Sequence, residues 1–390
     1  MLKLLVVSEL NASVRDGSTT HLQMLLTALD RQGHDIHLLL PQCPGPVEVP
    51  FPGTVTRLPV SYSSNSSLAK ALGLHRFQTM AKREIPLMNR KNAYDACYIR
   101  EGIATYGAIA GAKKAGLTTV VEVNGMISQE LVDVGYPSFL VNVRDALEGP
   151  RLRMADAHVV VSKGLAKRYA ARYGISKKKV TVVPNGVDAE MFFPRDVNEA
   201  REQWGIRHNR PIVSWVGYMV QWQDLTTLLK AWKLVSKRFD ALLLLAGDGP
   251  DRMKLERISA KLGLGASVQF LGRIFHERIP LLLQSSDVTA ASFVGKRPCS
   301  PLKIFEYMAC AKPVVVSDIP DALFVKQSRC GLVFPGGDYK AMADSLFQLL
   351  DNPDMAVEMG RRGRDLVEKR YTWDNTAKKV MAVIRRAGAD

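Results

Sequence analysis

PIVSWVGYMVQWQDLTTLLKAWKLVSKRFDALLLLAGDGP, residues 211–250, reads as strand, helix and strand. PIVSWVGYM and ALLLLAGDG are short apolar runs, and DLTTLLKAWKLVSKRF between them carries a helical pattern. The same order occurs about 210 residues earlier, as LKLLVVS, then HLQMLLTALDRQG, then DIHLLLP. Strands that alternate with helices argue for parallel sheets built from βαβ units. Two similar doubly wound, Rossmann-like α/β domains fit this recurrence better than one continuous sheet, and 390 residues is long for a single domain. FFPRDVNEAREQWGIRHNRP (192–211), proline-bearing and charged, reads as the linker. The expected division is 1–195, 196–372, and a final helix 373–390 that is free to cross back to the first domain. Ligands of such sheets sit beyond the carboxyl ends of the strands, so the cleft between two facing domains is the expected site.

Composition narrows the class. With 47% apolar and 23% charged residues the chain is an ordinary globular one, and no apolar run approaches the ~18 residues of a membrane-spanning helix. MLKLLVVSEL resembles a signal start but lacks a small-residue cleavage site, so LKLLVV reads as a first strand and the protein as cytosolic. The five cysteines (43, 97, 299, 310 and 330) are scattered without a C-x-x-C pair, which suits free thiols rather than a disulfide framework or a zinc site. The histidines are equally dispersed, and no metal is expected.

The net charge of +15 predicts attraction to anions, and the excess is clustered. Nine cations against Asp156 alone lie between 151 and 179. No helix-turn-helix, RNA-binding or finger signature accompanies the charge, so nucleic acid is not the expected partner. SLAKALGLHRFQTMAKREIPLM (67–88) interleaves Leu68, Leu72, Phe77, Met80 and Ile85 with cations. It is either a basic helix lying on anionic lipid or a solvated face over a core stripe.

A dinucleotide oxidoreductase is the first idea for such a fold, but the G-x-G-x-x-G fingerprint is missing: AGDGPDR has Gly247 and Gly249, then Arg252 in place of the third glycine. A Walker motif is absent too. What remains is an ordered set of stretches: VVVSKGLAKRYAARYGI, VTVVPNGVDAEMFFP, LLLLAGDGP, VQFLGRI, CSPLKIFEYMACAKPVVVSD and YTW. In this order they resemble the retaining glycosyltransferases of the GT-B fold, family 4, and among these the branch with S-P-L-K-x-x-E-Y-M-A. The resemblance is best from about 155 to 375 and weaker over the N-terminal 150 residues, where acceptors of the family bind.

Local physics and the resemblance point to one set of residues. Ser300 is a good N-cap and Pro301 suits a first helical position, so the N–H groups of Leu302 and Lys303 at the positive end of the helix form a site for a diphosphate. Lys303 adds a full charge, and Glu306 follows on roughly the same face. The resemblance gives Glu306 the nucleotide ribose; the alternative is a plain i,i+3 surface pair. It also turns Gly272, Arg273 and Ile274 toward the base, although a simple strand-end turn at Gly272 fits as well. AGDGP reads as a tight turn, with no catalytic part for Asp248.

Where the family supplies an arginine and a lysine to the pyrophosphate after Gly217, this chain has Tyr218 and Gln223, with Asp224 for a glycine; Pro298 replaces the family's other glutamate. A leaving diphosphate needs its developing charge stabilised, so Lys303, the helix start and Lys296 or Arg297 must carry more. In DGSTTHLQML (16–25), Gly17 and Ser18 are candidates for the donor phosphate, whereas His21 reads as structural. Asn124, at the end of VVEVNG, is placed to bind a sugar hydroxyl.

The resemblance therefore implies a metal-independent hexosyltransferase that uses a UDP- or GDP-linked sugar and no other cofactor. Its acceptor is a saccharide, a lipid-linked sugar or a small molecule, in polysaccharide or glycoconjugate synthesis, and its place is the cytoplasm or the cytoplasmic face of a membrane. Tyr218 and Gln223 favour the alternative, a degenerate relative that serves as a non-enzymatic partner or regulator.

Overall fold

The computed structural model describes the chain apart from residues 15–16, 43–44, 46–48, 61–66, 134, 207–208, 296–301 and 390, and the side chains of 67 and 68. The chain divides into two compact units, Met1–Asn185 with Trp373–Asp390, and Gly186–Thr372. Together they make a GT-B fold of two Rossmann-like domains, each a parallel sheet covered by helices.

Among the described residues, the first unit has seven strands: β1 (Lys3–Val7), β2 (Asp35–Pro41), β3 (Thr54–Leu58), β4 (Ala96–Arg100), β5 (Thr118–Val123), β6 (Ala157–Val160) and β7 (Val180–Val182), in the order β3-β2-β1-β4-β5-β6-β7. The second has six: β8 (Ile212–Val216), β9 (Leu242–Ala246), β10 (Val268–Gly272), β11 (Val288–Ala291), β12 (Val314–Ser317) and β13 (Gly331–Phe334), in the order β10-β9-β8-β11-β12-β13. Chain order reverses between β1 and β4, and again between β8 and β11. Such switch points open a crevice at the carboxyl ends of the strands, where loops can hold a ligand. Central strands such as β1 and β9 are near-continuous runs of Leu and Val because helices cover both faces.

The 192–211 stretch lies inside the second unit, not between units. Asp196 caps a helix at Val197–Trp204, and Arg201 of that helix bonds the Ser285 carbonyl at 3.1 Å and Asp287 at 2.6 Å. A proline beside charges describes a linker and a capped surface helix equally well, so composition could not separate them. The last helix, Trp373–Ala387, packs on helix Gly17–Arg31 and on β5 within the first unit.

Residues 67–88 do form a helix, Ser67–Asn92, but its apolar stripe is not a lipid face. Phe77 and Ile85 are fully buried in the first unit's core. The helix seats closely on Tyr106–Lys114, where a Cβ on Gly107 would meet the Gln78 carbonyl oxygen. Of the large apolar side chains described in this helix, only Leu72 and Leu87 are exposed.

Candidate functional site

In the second unit the site grows from three strand ends. The chain leaves β8 at Gly217, β9 at Gly247 and β10 at Gly272, and these three turns interlock. Gly217 N bonds the Ala246 carbonyl at 3.0 Å, and Gly247 N bonds the Gly272 carbonyl at 2.8 Å. A Cβ on Gly247 would lie 1.8 Å from the Gly217 carbonyl oxygen, so only glycine fits there. AGDGP is thus a structural clasp; Asp248 Oδ1 accepts the Gly249 N–H at 2.8 Å.

Onto this floor the helix Leu302–Ala309 brings Lys303 and Glu306. Its buried side, Ile304, Phe305, Tyr307 and Met308, sits in the core, which leaves Lys303 and Glu306 half-buried at the rim. Tyr307 Oη accepts the Val216 N–H at 2.8 Å and ties the helix to the end of β8. The Lys303 ammonium donates to Gln223 Oε1 at 2.8 Å and stands 4.1 Å from the centre of the Trp215 ring. A Cβ on Gly217 would come within 2.5 Å of that ammonium, so the bare glycine is what lets the lysine reach its place. Glu306 Oε1 lies 3.5 Å from His276 Nε2, and His276 in turn packs edge-on to Phe192. Nothing in the sequence singled out His276; it follows β10 by four residues, which is the one signal that could have found it.

Gln223 and Lys303 therefore meet, as do Gly217, Gly272 and the clasp. Arg273 and Tyr218 are exposed beside them, Tyr218 with 62% of its surface free, while Ile274 turns partly into the core. Ser300 and Pro301, with Lys296, Arg297 and Pro298, lie outside the described residues. Asp224 explains the glycine it replaces: its φ of 43° is left-handed, a region aspartate tolerates, and its carboxylate caps helix Leu225–Arg238 at Thr227 N. A pocket of about 200 Å³, lined in part by Gln221, Asp224 and Lys254, opens beside this site rather than at Lys303.

The V-P-N-G-V-D segment is also structural. Asp188 Oδ1 accepts the N–H groups of Glu190 and Met191, and Arg364 bonds the carbonyls of Ala189 (3.1 Å), Phe192 (2.6 Å) and Ala309 (2.8 Å). The arginine thereby ties that loop to the last turn of the Lys303 helix.

In the first unit a pocket of about 380 Å³ opens at the switch point, lined among others by Ser18, Arg100, Glu101 and Asn124. His21 Nε2 lies 2.7 Å from Glu122 Oε1, and Arg100 reaches the other oxygen at 3.3 Å. Burial pushes the Glu122 carboxyl up, but His21, Arg100 and Asn124 outweigh it and hold it at about 2. Burial outweighs Glu122 at His21 and lowers that imidazole. His21 is a core residue, wedged against Trp373, as its place on a helix suggested. Asn124 leans on Glu122, yet neither of its amide atoms reaches a partner within normal hydrogen-bond geometry. Gly17 opens its helix exposed, with Ser18 half-buried next to it.

Sequence reading passed over two carboxyls here. Burial raises Glu9 and Glu101 each to about 8, and neither Glu101 oxygen has a hydrogen bond, with Arg144 3.7 Å away. The R-E pair that ends CYIRE was the available signal. Among the described residues no group of His, Cys, Asp or Glu is arranged to hold a metal ion, and Cys97, Cys310 and Cys330 are buried free thiols. No helix among the described residues is long and apolar enough to cross a membrane.

Comparison with known proteins places both halves. Residues 15–191 match the family model described as Glycosyltransferase Family 4, and residues 210–352 match that of Glycosyl transferases group 1. The chain is 26% identical over 283 residues to a GDP-mannose-dependent monoacylated alpha-(1-6)-phosphatidylinositol monomannoside mannosyltransferase of Corynebacterium glutamicum, covering 70% of this chain and 72% of that one. It is 29% identical over 225 residues to a D-inositol 3-phosphate glycosyltransferase of Corynebacterium urealyticum, but that match spans 55% of this chain and only 52% of the relative. Among solved structures, sucrose-phosphate synthase from Thermosynechococcus elongatus superposes with a TM-score of 0.78 at 20% identity over 100% of both chains. Anabaena Alr3699/HepE in complex with UDP and glucose does so with 0.76 at 17%, covering 99% of this chain and 100% of that one. At such identities these structures speak for the fold.

Proposed function

Because the chain belongs to the family 4, group 1 glycosyltransferases, we propose that it moves a hexose from a UDP- or GDP-linked donor to a saccharide, lipid-linked or small-molecule acceptor, with retention and without a metal. The observation that carries this reading is the Lys303–Glu306 pair, held by one helix at the interlocked ends of β8, β9 and β10. A carboxylate such as Glu306 accepts two hydrogen bonds from a ribose diol, and His276 steadies it from the far side. Three residues away on the same face, the Lys303 ammonium stands where a diphosphate attached to that ribose extends.

Lys303 and Asn124 are the catalytic residues of this reading, Lys303 for the leaving diphosphate and Asn124 for the transferred sugar. As the bond from the anomeric carbon to the phosphate oxygen breaks, charge builds on the diphosphate and the ammonium stabilises it. The acceptor hydroxyl attacks the same face of the sugar, and its proton passes to the leaving phosphate oxygen, so no separate base is needed. Gly272, Arg273 and Ile274 line the base side, Gly217, Tyr218 and Gln223 the phosphate side, with Leu302 at the helix start; Ser300 and Pro301, outside the described residues, are assigned to the donor from the sequence alone. In the first unit, Gly17 and Ser18 are assigned to donor phosphate and Asn124, with unmet amide atoms, to a sugar hydroxyl. The carboxyl-lined pocket there suits a polyhydroxylated acceptor, and the protein works in the cytoplasm or on a membrane's cytoplasmic face.

The test is a thermal-shift panel of UDP, GDP, ADP and their sugar conjugates on wild type and Glu306→Ala. A ligand that binds only the folded state raises the melting temperature by mass action. A shift confined to one nucleotide family and lost in Glu306→Ala names the donor class. No shift from a well-folded protein would overturn the reading and favour a non-enzymatic relative.

A further inference from the structure

The helix Ser138–Met154 is turned inside out. Its carboxylates face inward: Asp145 is bonded by Arg144, Arg172 and the Tyr173 hydroxyl, and Glu148 accepts the Thr105 N–H. Its large apolar side chains face water. Phe139 is 65% exposed, Leu147 59% and Val143 54%, with Leu140 and Met154 nearly as open. At 3.6 residues per turn, Ala146, Phe139, Pro150, Val143, Met154, Leu147 and Leu140 fall within one arc of roughly 120°. A stripe of that width normally seats a helix on its core; this one is on the outside.

The charge around the stripe says what covers it. Exposed Arg151 borders the arc on one side and exposed Arg153 on the other. The helix that packs alongside, Lys163–Tyr173, adds exposed Lys163 and Lys167, its Arg172 being paired with Asp145, and exposed Lys177 and Lys178 follow. Between 138 and 179 the acidic residues are Asp145, Glu148 and Asp156. Two of these are buried, and the third is held by Lys113 at 2.7 Å. Exposed Glu130 and Asp133 sit on the helix Ile127–Asp133, which packs against the start of the ridge helix, so the surface is an apolar ridge whose cations gather toward its C-terminal end.

We propose that this ridge is the surface by which the protein seats on an anionic lipid bilayer, with Phe139, Val143 and Leu147 dipping below the headgroups and Arg151 and Arg153 pairing with lipid phosphates. Arginine stems cover apolar surface while their heads stay at the polar boundary, which suits them to the rim of an inserted stripe. A second copy fits worse, because a two-fold contact on this ridge would bring the same arginines against one another. The inference goes beyond the transfer reaction and stands on surface residues that take no part in it. It also replaces the Ser67–Asn92 helix, whose stripe is in the core, as the inserted element.

The experiment is co-sedimentation with vesicles of phosphatidylcholine alone and of phosphatidylcholine mixed with phosphatidylglycerol. Wild type should pellet with the mixed vesicles and at least tenfold less with the neutral ones. Phe139→Ser with Leu147→Ser, and separately Arg151→Glu with Arg153→Glu, should each lower the bound fraction at least tenfold. The Phe139→Ser, Leu147→Ser variant should melt as wild type does, whereas Arg153 donates to the Tyr173 carbonyl and Arg151 to the Leu147 carbonyl, each at 2.8 Å, so the charge-reversed variant is expected to melt slightly lower. Both should keep the nucleotide-induced shift, which separates this surface from the transfer site. Equal binding by wild type and the Phe139→Ser, Leu147→Ser variant would overturn the proposal, as would no binding by wild type. Sedimentation velocity adds a third outcome. A wild-type oligomer that the same two substitutions dissolve would make the ridge a subunit contact and overturn the bilayer assignment.

Discussion

Replacing Gly217 with alanine should slow the enzyme through a residue it does not itself replace. The new Cβ would stand 2.5 Å from the Lys303 ammonium and 3.3 Å from its Cε, with the Trp215 ring 3.2 Å away on the other side. An ordinary contact is ~3.5 Å, so the lysine end must retreat by about 1 Å, and the ring blocks part of its path. In the proposed reaction Lys303 meets developing charge, and a displacement of that size then costs about 100-fold in rate, roughly 2.7 kcal/mol of transition-state stabilisation. Stability should suffer little, because the atom that must move is the far end of a flexible side chain; a fall of a few degrees in melting temperature, about 1 kcal/mol of backbone strain, is expected. Initial rates with the donor found in the thermal-shift panel give kcat/KM for wild type, Gly217→Ala, Lys303→Ala and the double variant. Lys303→Ala should lose at least as much, about 100-fold or more, by itself. If the alanine acts by displacing the ammonium, the double variant is no slower than Lys303→Ala, which is strong non-additivity in a double-mutant cycle. Full activity in Gly217→Ala, or losses that simply multiply, would refute the reasoning.

His276→Ala should raise the KM for the donor several-fold with kcat nearly kept, since it loosens Glu306 rather than the charge on the leaving group; an unchanged KM would remove His276 from the site. Arg364→Met should destabilise the protein by ~2–4 kcal/mol in denaturant unfolding, because it strips three carbonyls of a charged donor; a loss below ~0.5 kcal/mol would show that the bonds are replaceable. Glu101 is raised from 4.5 to about 8 in the fold, so its contribution is full below 4.5 and drains away as pH rises through 8. Glu101→Gln should therefore flatten the fall in melting temperature between roughly pH 5 and 8, and parallel curves would contradict the buried carboxyl. Glu122 has the opposite sign: held at about 2, it stabilises above 4.5 and loses this as pH falls toward 2, so Glu122→Gln should show a weaker acid transition than wild type.

The recurrence of strand, helix and strand was legible in the chain because buried parallel strands are continuous apolar runs, and one helix must cross between each pair. Lys303 and Glu306 were legible too, since they lie three apart on one helix and their spacing is local. Other features hid because they depend on which way an element turns. The stripe in 67–88 and the one in 138–154 look alike on paper; packing against Tyr106–Lys114 buried the first, while the network of Asp145, Glu148 and Arg144 turned the second outward. Linker and capped helix share a composition, so 192–211 declared itself only through Arg201 and its partners 84 and 86 residues away. Likewise His276 meets Glu306, and Gln223 meets Lys303, across tens of residues that only the closed sheet brings together. Periodicity and short motifs determined the two sheets and the pair of residues on one helix turn. Tertiary packing decided their partners, because contacts between distant segments have no trace in local spacing.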